Sequence, residues 1–313
     1  MTTFDDRMDP GIKAEFPYAM EAMFDMIGPD MGPVREMGAA MSEMAKAAID
    51  PFPGTVDEIA IPGLNGAPDI KALFSRADNC AHSDAVLVWL HGGGYVFGSH
   101  DDMSNYKYGP LLNVLSVDYR MAPEWRAPAA AEDACAAIDW VIANAETYGI
   151  DPAKIIIGGP SAGGGLAASA ALMNRDRGGP ELLYQVLIYP MLDDSHDTPS
   201  GRMDLPRYVW HRELSEFAWS VYAEEDGASP YAAAIRATDL SGLPPAYVMC
   251  GDLDLFRDED IDYAQRLMAA GIAVDLAIFP GAPHGFDAMV PQADLTRRSV
   301  DHLMRALESV LEG

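Results

Sequence analysis

The tightest constraint on how this chain can fold is the pentapeptide Gly159-Pro160-Ser161-Ala162-Gly163. It follows the apolar run Ile155-Ile156-Ile157 and leads into a small-residue stretch from Ala162 to about Met173. A short β-branched run reads as a strand and the stretch after it as a helix. A serine pinched between glycines at such a junction forms a nucleophile elbow, a turn too tight for bulky neighbours. The turn lifts the hydroxyl above the sheet edge and aims the N-terminus of the next helix at it. Small residues also gather in ordinary turns, so the rest of the chain must supply the partners of a working serine.

The 313 residues, 49% of them hydrophobic, suit one large α/β domain with room for a lid, or two smaller domains. The formal net charge of −27 disfavours DNA, RNA and anionic membranes as partners. It reads as a solvated acidic shell that aids solubility and fits tolerance of salt. Cys80, Cys135 and Cys250 lie far apart without CxxC spacing, so free and mostly buried thiols in a reducing compartment are expected, with no disulfide framework and no metal site. The acidic stretch Met1 to Phe16 has no apolar core of a signal peptide, and no apolar run is long enough to span a bilayer. The expected location is cytoplasmic.

Residues 1–50 read as helical and rich in methionine, with Met20, Met23, Met26, Met31, Met37, Met41 and Met44 at roughly helical spacing. Flexible thioethers serve ordinary helix packing and a lid over an apolar ligand equally well. Pro51-Phe52-Pro53-Gly54 marks a boundary. Strands are then expected at Val56–Ile61, Ile70–Ser75, Ala85–Leu90, Val114–Asp118, Lys154–Ile157, Leu182–Tyr189, Tyr247–Cys250 and Val274–Phe279. Helices are expected at Ala129–Tyr148, Ala162–Asn174, Asp258–Ala270 and Asp294–Leu311. Apolar strands separated by helices imply a mostly parallel sheet of eight strands, covered on both faces. The short turn between the first two strands predicts an antiparallel start. Residues 193–231 interrupt the alternation with a polar, aromatic insertion and a helix at Glu213–Glu225, which reads as a lid or as a covering helix.

A serine hydroxyl needs a base, and the base needs a carboxylate to fix its tautomer. The chain offers both in the order serine, acid, histidine, each after a different strand. Asp254 lies just beyond the strand ending at Cys250, and His284 just beyond the strand ending at Phe279. Catalytic groups in parallel sheets gather at the carboxyl ends of strands, so the three can converge. His82, His100, His196, His211 and His302 stand in polar or helical surroundings that predict surface positions, and His91 is expected to organise a glycine loop. Asp252, Asp258, Glu259 and Asp260 are expected to form turns, caps or ion pairs.

That loop is His91-Gly92-Gly93-Gly94-Tyr95, after the strand Leu87-Val88-Trp89-Leu90. Glycines let backbone N–H groups approach a ligand closely. Two of them, with the N–H of Ala162, can hold an oxyanion, and loss of one such donor costs about 3 kcal/mol of barrier lowering. Phosphate binding is the competing use, but the chain lacks G-x-x-x-x-G-K-[ST]. Gly163-Gly164-Gly165 mimics a dinucleotide fingerprint only weakly, since its first glycine falls inside the predicted helix.

With these residues in view, the chain resembles the hormone-sensitive lipase-like esterases, the bacterial family IV of lipolytic enzymes. His91-Gly92-Gly93-Gly94-Tyr95 is similar to the family's HGGG motif, and Asp118-Tyr119-Arg120-Met121-Ala122-Pro123-Glu124 to its DYRLAPE segment. Gly159-Pro160-Ser161-Ala162-Gly163-Gly164 is similar to its serine elbow, Asp254-Leu255-Phe256-Arg257-Asp258-Glu259 to its DPLRDE stretch, and His284-Gly285-Phe286 to its HGF. The resemblance implies an α/β-hydrolase fold over 51–313, with a helical cap built from 1–50 and an insertion at about 193–231. It implies hydrolysis of short- to medium-chain carboxylic esters without a cofactor or a metal. Ser161 would be the nucleophile, His284 the base and acid, Asp254 its orienter, and Gly93, Gly94 and Ala162 the oxyanion donors. Members often dimerise through the edge strand near the C-terminus, here Val274–Phe279.

Two positions depart from the pattern. Pro160 replaces the acid before the nucleophile, fixing φ and deleting a carboxylate that could brace the glycine loop. Leu255 replaces the proline after the acid, which should loosen that turn. Lactone, amide or carbamate hydrolysis on the same machinery is the alternative within enzymes. A small-molecule receptor of the same fold is the alternative outside them, though such receptors lack the catalytic histidine.

Overall fold

A computed structural model describes residues 3–48, 52–101, 103–225 and 227–313. Helices α1 (Phe4–Arg7), α2 (Pro10–Glu15), α3 (Met20–Phe24) and α4 (Gly32–Ala48) come first. Strands β1 (Gly54–Ile61), β2 (Ile70–Ala77), β3 (His82–Leu90) and β4 (Leu112–Val117) follow, then α5 (Ala129–Tyr148), β5 (Ile155–Pro160), α6 (Ala162–Asp176) and β6 (Tyr184–Ile188). The chain closes with α7 (Arg212–Tyr222), β7 (Ala246–Gly251), α8 (Arg257–Ala269), β8 (Val274–Phe279), α9 (Phe286–Met289) and α10 (Asp294–Glu312). The predicted boundary at Pro51 and the side chains of Met41 and Met44 lie outside the described residues.

The strands form one eight-stranded sheet in the order β1-β2-β4-β3-β5-β6-β7-β8. β1 pairs antiparallel with β2, as does β2 with β4, and every later pairing is parallel. The central strands are buried along their length because helices cover both faces, which is why they read as unbroken apolar runs. Within a run the period of two still decides the partner. Val86, Val88 and Leu90 join the core on one face, and Ala85, Leu87 and Trp89 the core on the other. Ile155 and Ile157 likewise part company with Ile156.

The helices fit this frame for local reasons. α10 buries Leu303, Leu307 and Leu311, four residues apart on one face. Gly149 closes α5 in the left-handed region at φ 69°, and Gly271 follows α8 at φ 84°. α6 needs its small residues, because a Cβ at Gly163 would stand 1.9 Å from the Leu90 carbonyl oxygen. The helix can therefore lie directly on β3 and β5. α7 ends three residues before the predicted Glu225, capped by Ala223 in an extended conformation. Among the described residues no helix is long and apolar enough to cross a membrane.

Candidate active site

Ser161 sits at the junction of β5 and α6 with φ 56° and ψ −122°, a conformation that costs a non-glycine residue on the order of 1–3 kcal/mol. Neighbouring bonds hold it there. Its N–H donates to the Ile188 carbonyl at 2.8 Å, and its own carbonyl accepts from Gly165 and Met191, each at 3.0 Å. Gly159 permits the close approach, since a Cβ there would stand 2.1 Å from the Leu90 carbonyl oxygen.

The turns after β7 and β8 bring the other two groups to this point. Leu253 N–H donates to the Ala282 carbonyl at 3.1 Å, and the Asp252 carboxylate accepts from Gly281 N–H at 2.6 Å, so the two turns are stitched together. His284 Nε2 then lies 2.9 Å from Ser161 Oγ, and His284 Nδ1 lies 2.8 Å from Asp254 Oδ2. The second Asp254 oxygen accepts from Phe256 N–H at 2.9 Å. Phe256 meets the imidazole edge to face on one side at 5.1 Å, and Tyr189 does so at 4.8 Å. Ser161, His284 and Asp254 are buried to 8%, 6% and 0% residual exposure, so their mutual bonds work in a medium of low dielectric.

The glycine loop faces the serine. Gly93 has φ 116° and Gly94 φ 59°, both in the glycine-favouring region. The Gly93 carbonyl accepts from Val96 and Phe97 N–H at 3.0 and 3.1 Å, which closes the loop into a turn. Among the described residues no acceptor takes the N–H of Gly93, Gly94 or Ala162. His91 is buried and stacked on Tyr119 at 4.2 Å, with Nδ1 2.8 Å from Gly92 O, and the Tyr119 hydroxyl donates to the His91 carbonyl at 2.8 Å. His91 thus organises the loop, as its sequence position suggested.

A cavity of about 260 Å³ opens over these groups. Met20, Met23 and Phe24 of the N-terminal segment and Trp210 of the inserted segment line it together with Ser161 and His284. Pro160 also lines it, and its ring stands beside the glycine loop, where a Cβ added at Gly92 would lie 3.6 Å from Pro160 Cγ. Among the described residues no cluster of histidine, cysteine and acidic side chains could hold a metal ion.

Two expectations for histidines fail. His196 and His211 are not on the surface but 2% and 6% exposed. The inserted segment folds back on itself, so polar neighbours in sequence become shelter in space, and His196 Nε2 meets Ser215 Oγ at 2.7 Å. Of the neighbouring acids, Asp252 and Asp258 form the expected turn and ion-pair contacts, the latter with Arg257 at 2.7 Å. Glu259 accepts from Leu192 and Asp193 N–H at 2.8 and 3.0 Å, although burial still holds its carboxyl well above the usual range. Asp260 is wholly buried, burial foremost pushes its carboxyl well above the usual range, and among the described residues it makes no ion pair.

One group in the cavity wall was not anticipated. The Tyr189 hydroxyl donates to buried Asp287 at 2.6 Å, and the Lys107 ammonium reaches the other Asp287 oxygen at 3.3 Å. All three line the cavity. The nearest signal in the sequence is the acid directly after His284-Gly285-Phe286.

The parallel sheet, the serine elbow and the imidazole at the carboxyl edge together define an α/β hydrolase. The sequence profile of a family described as alpha/beta hydrolase fold matches residues 87–288. The chain belongs to that family, in its hormone-sensitive lipase-like branch. It is 34% identical over 300 residues to the carboxylesterase NlhH of Mycobacterium tuberculosis, covering 90% of this chain and 94% of that one. It is 36% identical over 221 residues to an ethyl acetate hydrolase of Pseudomonas putida, 68% of this chain and 69% of the relative. Among solved structures, a bacterial heroin esterase superposes with a TM-score of 0.88 at 36% identity over 99% of both chains.

Proposed function

We propose that this protein is a serine carboxylesterase acting on short- to medium-chain esters. The observation that carries the reading is the relay in which one imidazole contacts Ser161 Oγ at 2.9 Å and Asp254 Oδ2 at 2.8 Å. In this reading His284 takes the Ser161 proton as the hydroxyl attacks the ester carbonyl, and Asp254 holds the imidazole in the required tautomer. The oxyanion rests on the N–H groups of Gly93, Gly94 and Ala162, whose uncommitted state supports that role. His284 then protonates the departing alcohol, and a water activated by the same base releases the acid. No metal or cofactor enters the cycle.

We further propose that residues 1–50 and about 193–231 form one cap over the 51–313 catalytic domain. Contacts between the two segments support this. Arg207 pairs with Asp25 at 2.5 Å and with Glu21 at 3.7 Å, Tyr208 donates to Asp5, and Phe24 meets Trp210 edge to face at 6.0 Å. The free thiols Cys80, Cys135 and Cys250 fit a reducing, cytoplasmic location.

The test is hydrolysis of a p-nitrophenyl ester series together with labelling by a fluorophosphonate. The parent should turn over short esters and label at Ser161, and Ser161→Ala should lose both while keeping its melting temperature. Undiminished turnover in Ser161→Ala would end the assignment. A receptor would bind the esters without turning them over.

A further inference from the structure

Arg35, on the first turn of α4, makes contacts that reach across the molecule. Its Nε donates to the Val96 carbonyl at 2.9 Å and one terminal nitrogen donates to the Ala122 carbonyl at 2.7 Å. The guanidinium also grips Glu124 with bonds of 2.8 and 2.9 Å. Both carbonyls belong to the surroundings of the glycine loop. Val96 N–H closes the turn on Gly93 O at 3.0 Å, and Ala122 N–H donates to the Tyr95 carbonyl at 2.9 Å. One side chain of the N-terminal segment therefore ties down the loop just after Gly93 and Gly94, and ties the loop's second anchor to it.

The loop needs such a tie. Tyr95 is a non-glycine residue at φ 64°, a strained conformation that persists only where its surroundings over-determine it. Its hydroxyl donates to Met191 O at 2.9 Å, and its ring stacks on Tyr222 of α7 at 3.8 Å. Those contacts fix the side chain and leave the loop's own carbonyls to be held by others. Arginine suits this task, because its planar fork serves several acceptors at fixed angles and its charge strengthens each bond.

We propose that Arg35 is a positioning residue for the oxyanion hole, so that seating the N-terminal segment sets the Gly93 and Gly94 amides for catalysis. The proposal rests on the carboxylesterase reading above. The segment is then part of the catalytic apparatus as well as a wall of the substrate cavity. The working contacts are the two bonds to carbonyls. The pair with Glu124 is peripheral, since the Glu124 side chain is 54% exposed and such pairs contribute little.

Three variants, measured on p-nitrophenyl butyrate and against a trifluoromethyl ketone that forms an oxyanion adduct, separate positioning from plain support. Arg35→Met should lower kcat by about tenfold or more, since displaced donors lose transition-state binding, and should weaken the ketone by a similar factor. KM should move by less than about threefold, because the ground-state ester uses these donors less. Arg35→Lys keeps a cation for Glu124 but cannot span both carbonyls, and should follow Arg35→Met; it decides the matter if the methionine variant does not fold. Glu124→Gln should stay within about twofold of the parent. An arginine variant that folds and keeps parental kcat, or that melts earlier while binding the ketone as before, overturns the proposal. A parent inactive on every ester would instead strike the carboxylesterase reading.

Discussion

Trp210 lies over Gly94 so closely that a Cβ on the glycine would stand 2.5 Å from the indole Cη2. The contact joins the inserted segment to the loop proposed to hold the oxyanion. Gly94 also sits at φ 59°, where an added side chain costs about 1–2 kcal/mol. Gly94→Ala should therefore lower kcat by about 10²–10³-fold, the scale of losing one oxyanion donor. Trp210→Leu, combined with it, should recover part of the loss by making room. Steady-state kinetics on the single and double variants measure the coupling, and full additivity would show that the two residues act independently.

Pro160 restrains the turn before the serine and stands beside the glycine loop. Pro160→Ala frees φ in the unfolded chain, so stability should fall by about 0.4–1 kcal/mol. The serine should keep its place, because its backbone bonds to Ile188, Gly165 and Met191 do not pass through Pro160. Urea denaturation reads the first expectation and kcat, unchanged within a few-fold, reads the second.

His196 makes stability depend on pH in a defined window. Burial pushes its pKa below the ordinary 6.5, against the pull of Glu216 and Asp193 and with the help of Arg212. The unfolded chain takes up a proton near 6.5 that the folded chain refuses, so unfolding is favoured as pH falls from there toward the lower folded pKa. Its stabilising contribution is complete above about 6.5 and declines below it. His196 has φ 52°, which asparagine tolerates, so His196→Asn is the fitting variant. Melting temperatures taken from about pH 7.5 to 5.5, a range above most carboxylate titration, should fall less steeply in the variant than in the parent.

β8 ends the sheet and is only partly covered along its length. We expect two copies to pair through this edge, since an unpaired strand offers a row of backbone donors and acceptors. Light scattering should give twice the 33.7 kDa of one chain. Ile278→Pro, which removes an edge N–H, should give the single-chain mass, and an unaltered dimer would move the interface elsewhere.

Local patterns made most of the frame legible. Unbroken apolar runs at Ala85–Leu90 and Ile155–Ile157 marked buried strands, and the small residues from Ala162 onward marked a helix pressed on the sheet. Ser161, Asp254 and His284 could be placed because each follows a strand end, where sheet topology brings distant residues together. What escaped was side-chain pairing without any period. Tyr189 with Asp287, and Arg35 with Val96, lie 98 and 61 residues apart. His196 and His211 escaped for the opposite reason, since the burial of an inserted segment depends on what it folds against and not on its own polarity. Asp260 reads as a helix-capping acid in the first turn of α8, and only the packing of that helix reveals it as interior.

The cavity draws Met20, Met23, Phe24 and Trp210 from two stretches outside the sheet, while Ser161, Asp254 and His284 hang from the sheet itself. A change at Met20 or Met23 therefore reshapes the opening that selects the ester without displacing Ser161, Asp254 or His284.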